Sequence, residues 1–199
     1  MTQNDYIKLK ADILAWIKGR LKPKRLEHTL GVEEMAVSLA KRWGADEKEA
    51  SLAALLHDNA KYVNDKEMLA LCERYFSSFG ITKEFNSLLH AFAGSIYVQQ
   101  RYPQLSNDVV KAVCFHTTGR PGMSVLEKII YCADFAEPGR GDIPQIDAIR
   151  LLLFEDLDAA LIRILRQCIG YVQSKKGAVH PLTVQTLDFY ENNKGDHNG

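Results

Sequence analysis

The sequence predicts an all-α fold, and three observations carry that expectation. Apolar residues recur at helical spacing through nearly every segment, and no strand-like alternation persists. The stretches between them are short and rich in turn residues such as glycine and proline. A chain of 199 residues suffices for one sizeable core, so a single domain spanning residues 1–199 is expected. There is no internal repeat, low-complexity tract or linker to divide it.

Taken in order, the first helix is expected from about Asp5 to Leu21, with Ile7, Ile13, Leu14, Ile17 and Leu21 as its apolar stripe. A break at Pro23 leads into a second, Lys24 to Trp43, stopped by Gly44. Asp46 followed three residues later by Glu49 has the character of a capping box, and opens a third reaching about Tyr62. "NDKEMLALCERYF" reads as a short fourth helix. Thr82 to Tyr102, Ser106 to Thr117, Ser124 to Ala136 and Pro144 to Ser174 continue the series, with a break near Glu155. A last helix follows Pro181, and residues 194–199, which include His197, read as a frayed tail.

Composition excludes several functions. Twenty-five basic residues balance 25 acidic ones, so no global field draws the chain to nucleic acid or an anionic membrane. No apolar run is long enough to span a bilayer, and the N-terminus lacks the apolar centre of a signal peptide. Cys72, Cys114, Cys132 and Cys168 lie far apart within helical patterns and form no CxxC pair. Reduced, buried thiols and a cytoplasmic location are the simplest reading.

The polar residues inside the helices are the informative ones. His57 continues the stripe Ala50, Ala53, Ala54, and Asp58 lies about 100° further round the same turn. His28 shares a face with Val32, Met35 and Leu39. His90 stands between Asn86 and Gly94, and the glycine is expected to open space beside the imidazole. His116 follows Val109 and Val113, and Asp134 follows Leu126 and Ile130. One inward histidine is an ordinary core residue with ordinary hydrogen-bond partners. Four histidines and two aspartates on inward faces call for a common partner, and a divalent metal is the natural one. Mixed nitrogen and oxygen ligands favour iron, manganese, zinc or cobalt, and the lack of thiolates argues against structural zinc. Six protein ligands exceed the needs of one open catalytic metal. Two metals use them, with Asp58 as the best bridge.

The order His28, His57-Asp58, Asp134 resembles the H…HD…D signature of the HD-domain metal-dependent phosphohydrolases. The strings "HDNAK", "LLHAFAG", "FHTTGRPGMS", "YCADFAEPGR" and "VHPLTVQ" are similar to the YqeK-type branch, the bacterial symmetrical diadenosine tetraphosphate hydrolases. The likeness runs from about residue 24 to 190, beyond the N-terminal helix in 1–22. It implies an all-α HD fold, a dinuclear site of iron, and cleavage of diadenosine tetraphosphate into two ADP. It also implies metal ligation by His28, His57, Asp58, His90, His116 and Asp134. His28, His57 and Asp134 would serve mainly one metal, His90 and His116 the other. Asn59 departs from the family, where an apolar residue is commoner, and bears on hydrogen bonding behind the ligands.

For such a substrate Asp58, His57 and Lys61 are the expected catalytic group. Lys61 lies one turn beyond His57, within reach of a phosphate. Thr117, Thr118 and Gly119 offer hydroxyls and backbone N–H groups directly after His116, itself expected beside the phosphate. Arg120 and Arg140 can fork onto phosphate oxygens. Tyr62, Phe92, Phe115 and Tyr131 are candidates to stack on adenine, although helically spaced aromatics are more often core. His180 is expected only to help pack the last helix. A broader nucleotide phosphohydrolase or phosphodiesterase, or a non-catalytic nucleotide sensor, remain as alternatives; the sensor would ordinarily have lost a ligand. A homodimer through the first helix and Leu151–Phe154 is expected from the frequency of twofold assemblies.

Overall fold

Apolar stripes fold the chain into ten α-helices in the computed structural model, which describes residues 1–141 and 143–193. They are α1 (Gln3–Lys18), α2 (Pro23–Trp43), α3 (Glu47–Leu56), α4 (Asp65–Tyr75), α5 (Asn86–Arg101), α6 (Asn107–Phe115), α7 (Val125–Ala136), α8 (Ile146–Glu155), α9 (Leu157–Ser174) and α10 (Pro181–Asn192). There is no strand among the described residues, so the all-α expectation holds. No helix there is long and apolar enough to cross a membrane. The expected tail at 194–199, with His197, lies outside the described residues.

Local chemistry sets most boundaries. Pro23 takes the first position of α2, where its missing N–H costs nothing, and Gly44 ends that helix in the left-handed conformation at φ +70°. Asp46 Oδ1 caps α3 by accepting from the Lys48 and Glu49 N–H groups. Asp156 separates α8 from α9, capping the latter through Ala159 N. The main departure from expectation is α3, which stops at Leu56 instead of reaching Tyr62; residues 57–62 form successive turns. The segment before α5 is also shorter in helix, since Lys83–Phe85 is a single tight turn.

Helix α3 is the axis of the fold. Every residue from Ala50 to Leu56 is buried, so it is enclosed on all sides, as a helix without a polar face must be. It packs on α1, α2, α6 and α7, while α5 packs on α4 and α6, and α9 on α7, α8 and α10. A main core joins α1–α3 and α6–α9. A smaller one, centred on Phe92, lies under α4 and α5. On α8, Leu153 is buried while Leu151 is 69% and Phe154 37% exposed. The four cysteines are free thiols, three of them buried.

Asn59 proves to be a structural staple. Its side-chain amide donates to Leu56 O and to Gly94 O, while its backbone carbonyl accepts from Arg20 Nε. The space Gly94 leaves is taken by this amide, since a Cβ there would meet Asn59 Nδ2 at 2.9 Å; it is not a clearing for the His90 ring. Asn59→Ala would remove two buried hydrogen bonds, including the one that ties the turn after α3 to α5. It should cost about 1–3 kcal/mol of stability, read as a shift of the urea midpoint with no change in m-value.

Candidate metal centre

Three helix C-termini meet at one point. His57 directly follows α3, His116 directly follows α6, and Asp134 lies in the last turn of α7. The negative ends of the helix dipoles therefore converge where a cation is favoured. The two helix-ending histidines use one device. His57 Nδ1 lies 2.6 Å from Ala54 O and His116 Nδ1 lies 2.7 Å from Val113 O, in each case a carbonyl three residues back with no helical partner. Donation to that carbonyl assigns the proton to Nδ1 and leaves Nε2 as the ligand atom.

His28 is oriented by a residue 109 positions away. Its Nδ1 lies 3.1 Å from Glu137 Oε1, and Glu137 Oε2 accepts from Gly139 N at 2.5 Å. Gly31, one turn along α2, makes room for this buried carboxylate, because a Cβ there would stand 2.5 Å from Oε2. Arg150 ties the loop down by donating to the Ala136, Glu137 and Arg140 carbonyls. Sequence reading missed Glu137, Gly31 and Arg150. The string "EPGR" was a signal of something, but only the folded chain shows its acid lying behind His28.

All four imidazoles turn Nε2 toward the two aspartates. His28 Nε2 lies 2.9 Å from Asp134 Oδ1, and His57 Nε2 lies 3.3 Å from Asp58 Oδ2. His90 Nε2 lies 3.1 Å from Asp58 Oδ1 and 3.2 Å from His116 Nε2. The two oxygens of Asp58 thus face different histidines. Burial would raise the Asp58 pKa, but the surrounding His57 and His90 hold it well below the usual carboxylate range. The same contest, with His28 and His57, leaves Asp134 well below it too. Burial pushes His116 down to about 3, aided by neighbouring His57 and His90, and lowers His90 as well. For His57 burial opposes protonation, yet the adjoining Asp58 outweighs it and the pKa is raised.

This arrangement fits a divalent metal. The Nε2 atoms of His28 and His57 are buried close to carboxylate oxygens yet make no hydrogen bond among the described residues, and such orphans are rare unless a ligand satisfies them. Three overlapping groups bring one ligand atom per residue within 4.8 Å of one another: His28, His57 and Asp58; His57, His116 and Asp134; Asp58, His90 and His116. All six residues singled out from the sequence are in these groups, and Asp58 belongs to two of them.

Cations gather around the cluster, though not all of those expected. Lys61 Nζ lies 3.1 Å from His90 Nε2 and 3.7 Å from Asp58 Oδ1. Arg140 donates to the carbonyl and Oδ1 of Asp134, and its buried Nε makes no hydrogen bond among the described residues. Arg25, one turn before His28, donates to Asp58 Oδ2 at 2.9 Å and was missed; its place three residues before a ligand was the available signal. Thr117 has a buried hydroxyl without a hydrogen-bond partner among the described residues. The rest of that loop differs from expectation. Thr118 is fully buried with its hydroxyl on Gly119 O, and Gly119 N is used by Phe115 O in closing the helix end. Arg120 is bidentate on buried Glu127, at 2.7 and 2.6 Å. Helix capping and an ion pair have claimed the groups that sequence reading offered to phosphate.

Arg120→Ala should accordingly act on stability and not on substrate affinity. It leaves the Glu127 carboxylate buried beside Ser124 N with its charge uncompensated, a loss of about 3 kcal/mol. A lower melting temperature with an unchanged KM is the expected pair of results. His180 caps α10 by accepting from Leu182 N, and its ring stands edge-on to Phe85 with centroids 4.6 Å apart, in keeping with a packing role.

A helical bundle carrying a buried His-Asp pair among further inward histidines defines a class, and the wider comparison agrees. The HD domain family model matches residues 25–138, more than half of the chain, and the chain belongs to that family. It is 40% identical over 175 residues to a symmetrical bis(5'-nucleosyl)-tetraphosphatase of Halalkalibacterium halodurans, covering 88% of this chain and 93% of that one. A protein of the same name from Bacillus subtilis is 37% identical over 180 residues, covering 90% and 96%. Among solved structures, one described as a predicted HD superfamily hydrolase involved in NAD metabolism, from Clostridium acetobutylicum, superposes with a TM-score of 0.84. It is 34% identical and covers 92% of this chain and 97% of its own.

Proposed function

We propose that this chain, as a single HD domain, hydrolyses dinucleoside polyphosphates and cleaves diadenosine tetraphosphate symmetrically. Water adds to one of the two central phosphorus atoms, the bond from that phosphorus to the central bridging oxygen breaks, and two ADP leave with the water's protons shared between them. The observation that carries the reading is the convergence of His28, His57, Asp58, His90, His116 and Asp134 on one buried point. The names of relatives at 37–40% identity over most of both chains supply the substrate class.

The residues would hold two metal ions, with iron the first choice and manganese, cobalt or zinc as others, and Asp58 shared between them. Metal ions held by these residues would supply charge neutralisation at phosphoryl oxygens and a nucleophilic water near neutral pH. The chain's own groups do the remainder. Arg25, Arg140 and Lys61 surround the cluster with charge-assisted donors for non-bridging oxygens, and Thr117 adds a hydroxyl beside His116. Glu137 and the helix-end carbonyls of Ala54 and Val113 hold the imidazoles in place. Lys61 Nζ, close to Asp58 Oδ1, is the proton donor best placed to offset charge on the departing phosphate. Four free thiols suit a reducing cytoplasm, and the exposed Leu151 side of α8 is the candidate twofold contact.

The test is an anaerobic preparation in which metals are counted per chain and diadenosine tetraphosphate products are separated. Two metals per chain with ADP as sole product is the expected result. Full metal occupancy without turnover would overturn the reading.

A further inference from the structure

A cavity of about 250 Å³ opens beside His28 and is lined by Lys24, Arg25, His28, Tyr62, Glu137 and Arg140. Three of the six linings are cationic, and His28 and Arg140 connect it directly to the cluster. Ligand pockets usually measure about 300–1,000 Å³, so this one is smaller than a nucleotide needs. It suits a phosphate chain whose bulkier end projects over the rim. Tyr62 stands at that rim, and it is the only one of the four aromatic candidates on offer. Phe92, Phe115 and Tyr131 are buried in the cores, while Tyr62 is 46% exposed. Lys22 Nζ lies over one face of the Tyr62 ring, 4.6 Å from its centroid, so a stacking base would take the opposite face or displace that ammonium.

We propose that this cavity is a nucleoside diphosphate subsite, in which Lys24, Arg25 and Arg140 bind the phosphates and the base stacks on Tyr62. The proposal rests on the phosphohydrolase reading and deepens it. With the base anchored at Tyr62 and the reacting phosphorus held at the cluster, the number of phosphates between them is set by the protein. Tyr62 is chained to that geometry, because it follows Lys61, whose ammonium touches His90. A fixed span of this kind is what directs cleavage to the centre of a tetraphosphate instead of to an end.

The experiment is equilibrium binding of ADP and of inorganic pyrophosphate to metal-loaded wild type, Tyr62→Ala and Tyr62→Trp, followed by product analysis with diadenosine tetraphosphate. Tyr62→Ala should weaken ADP roughly tenfold or more and leave pyrophosphate unchanged, and Tyr62→Trp should restore ADP binding. During turnover, Tyr62→Ala should release some AMP and ATP beside ADP. Unchanged ADP affinity would overturn the proposal and move the base elsewhere, a groove beside Phe76 and Phe79 being another opening. Equal weakening of ADP and pyrophosphate would also overturn it, by making Tyr62 a structural residue. ADP binding that depends on Tyr62 in a protein inactive on the tetraphosphate would sink the substrate assignment and leave the subsite standing.

Discussion

Asp58→Asn is expected to lower kcat/KM by about a thousandfold or more, about 4 kcal/mol of transition-state stabilisation, and to strip metal from the purified protein. The amide has nearly the same shape, so the outcome isolates the charge. Asp58 is 1% exposed and faces Arg25, His57, His90 and Lys61 at once. Removing its charge leaves the Arg25 and Lys61 cations without their shared counter-charge, and a cation loses the ligand whose oxygens look toward both sides of the cluster. Metal analysis on the variant, alongside its steady-state rate, checks this. Wild-type metal content with a wild-type rate would take Asp58 out of the centre.

The second large effect should come from a residue that touches neither metal nor substrate. Gly31→Ala places a methyl group 2.5 Å from the present position of Glu137 Oε2, well inside van der Waals contact. Either α2 shifts, carrying His28, or Glu137 swings away from His28 Nδ1 and Gly139 N. Loss of a partner behind a ligand typically costs about 10–100-fold in metal affinity, and overpacking about 1–3 kcal/mol in stability. Chelator competition and a thermal melt measure the two separately. Glu137→Ala provides the cross-check: once the carboxylate is gone, adding Gly31→Ala should cost little more, because both act through one contact. Additive losses would mean that Gly31 serves something other than this carboxylate.

Much of this cluster could be read from the linear sequence because most of its side chains obey helical spacing. His28, His57, His116 and Asp134 each extend an apolar stripe, so their inward placement followed from periodicity, whereas His90 was marked by Asn86 and Gly94 one turn either side. The helix ends were also legible, since Gly44, Asp46, Pro23 and Asp156 act within a few residues of themselves. What periodicity could not supply was where α3 ends. Its apolar run continues toward Tyr62, yet the chain turns at His57, where the imidazole takes a carbonyl and Asn59 locks onto α5.

Local patterns in the sequence suffice for the helical class, the order of the elements and the six side chains of the cluster, because each is written within a few residues. Tertiary structure decided which cations serve that cluster. Arg25 and Arg120 look alike in sequence, each close to a candidate ligand, but Arg25 reaches Asp58, 33 residues away, while Arg120 is spent on Glu127. It decided as well that Glu137 stands behind His28 and that Tyr62 alone among the aromatic candidates faces solvent. A long charged side chain can reach several partners, and only packing between distant segments determines which of them stands within hydrogen-bond distance.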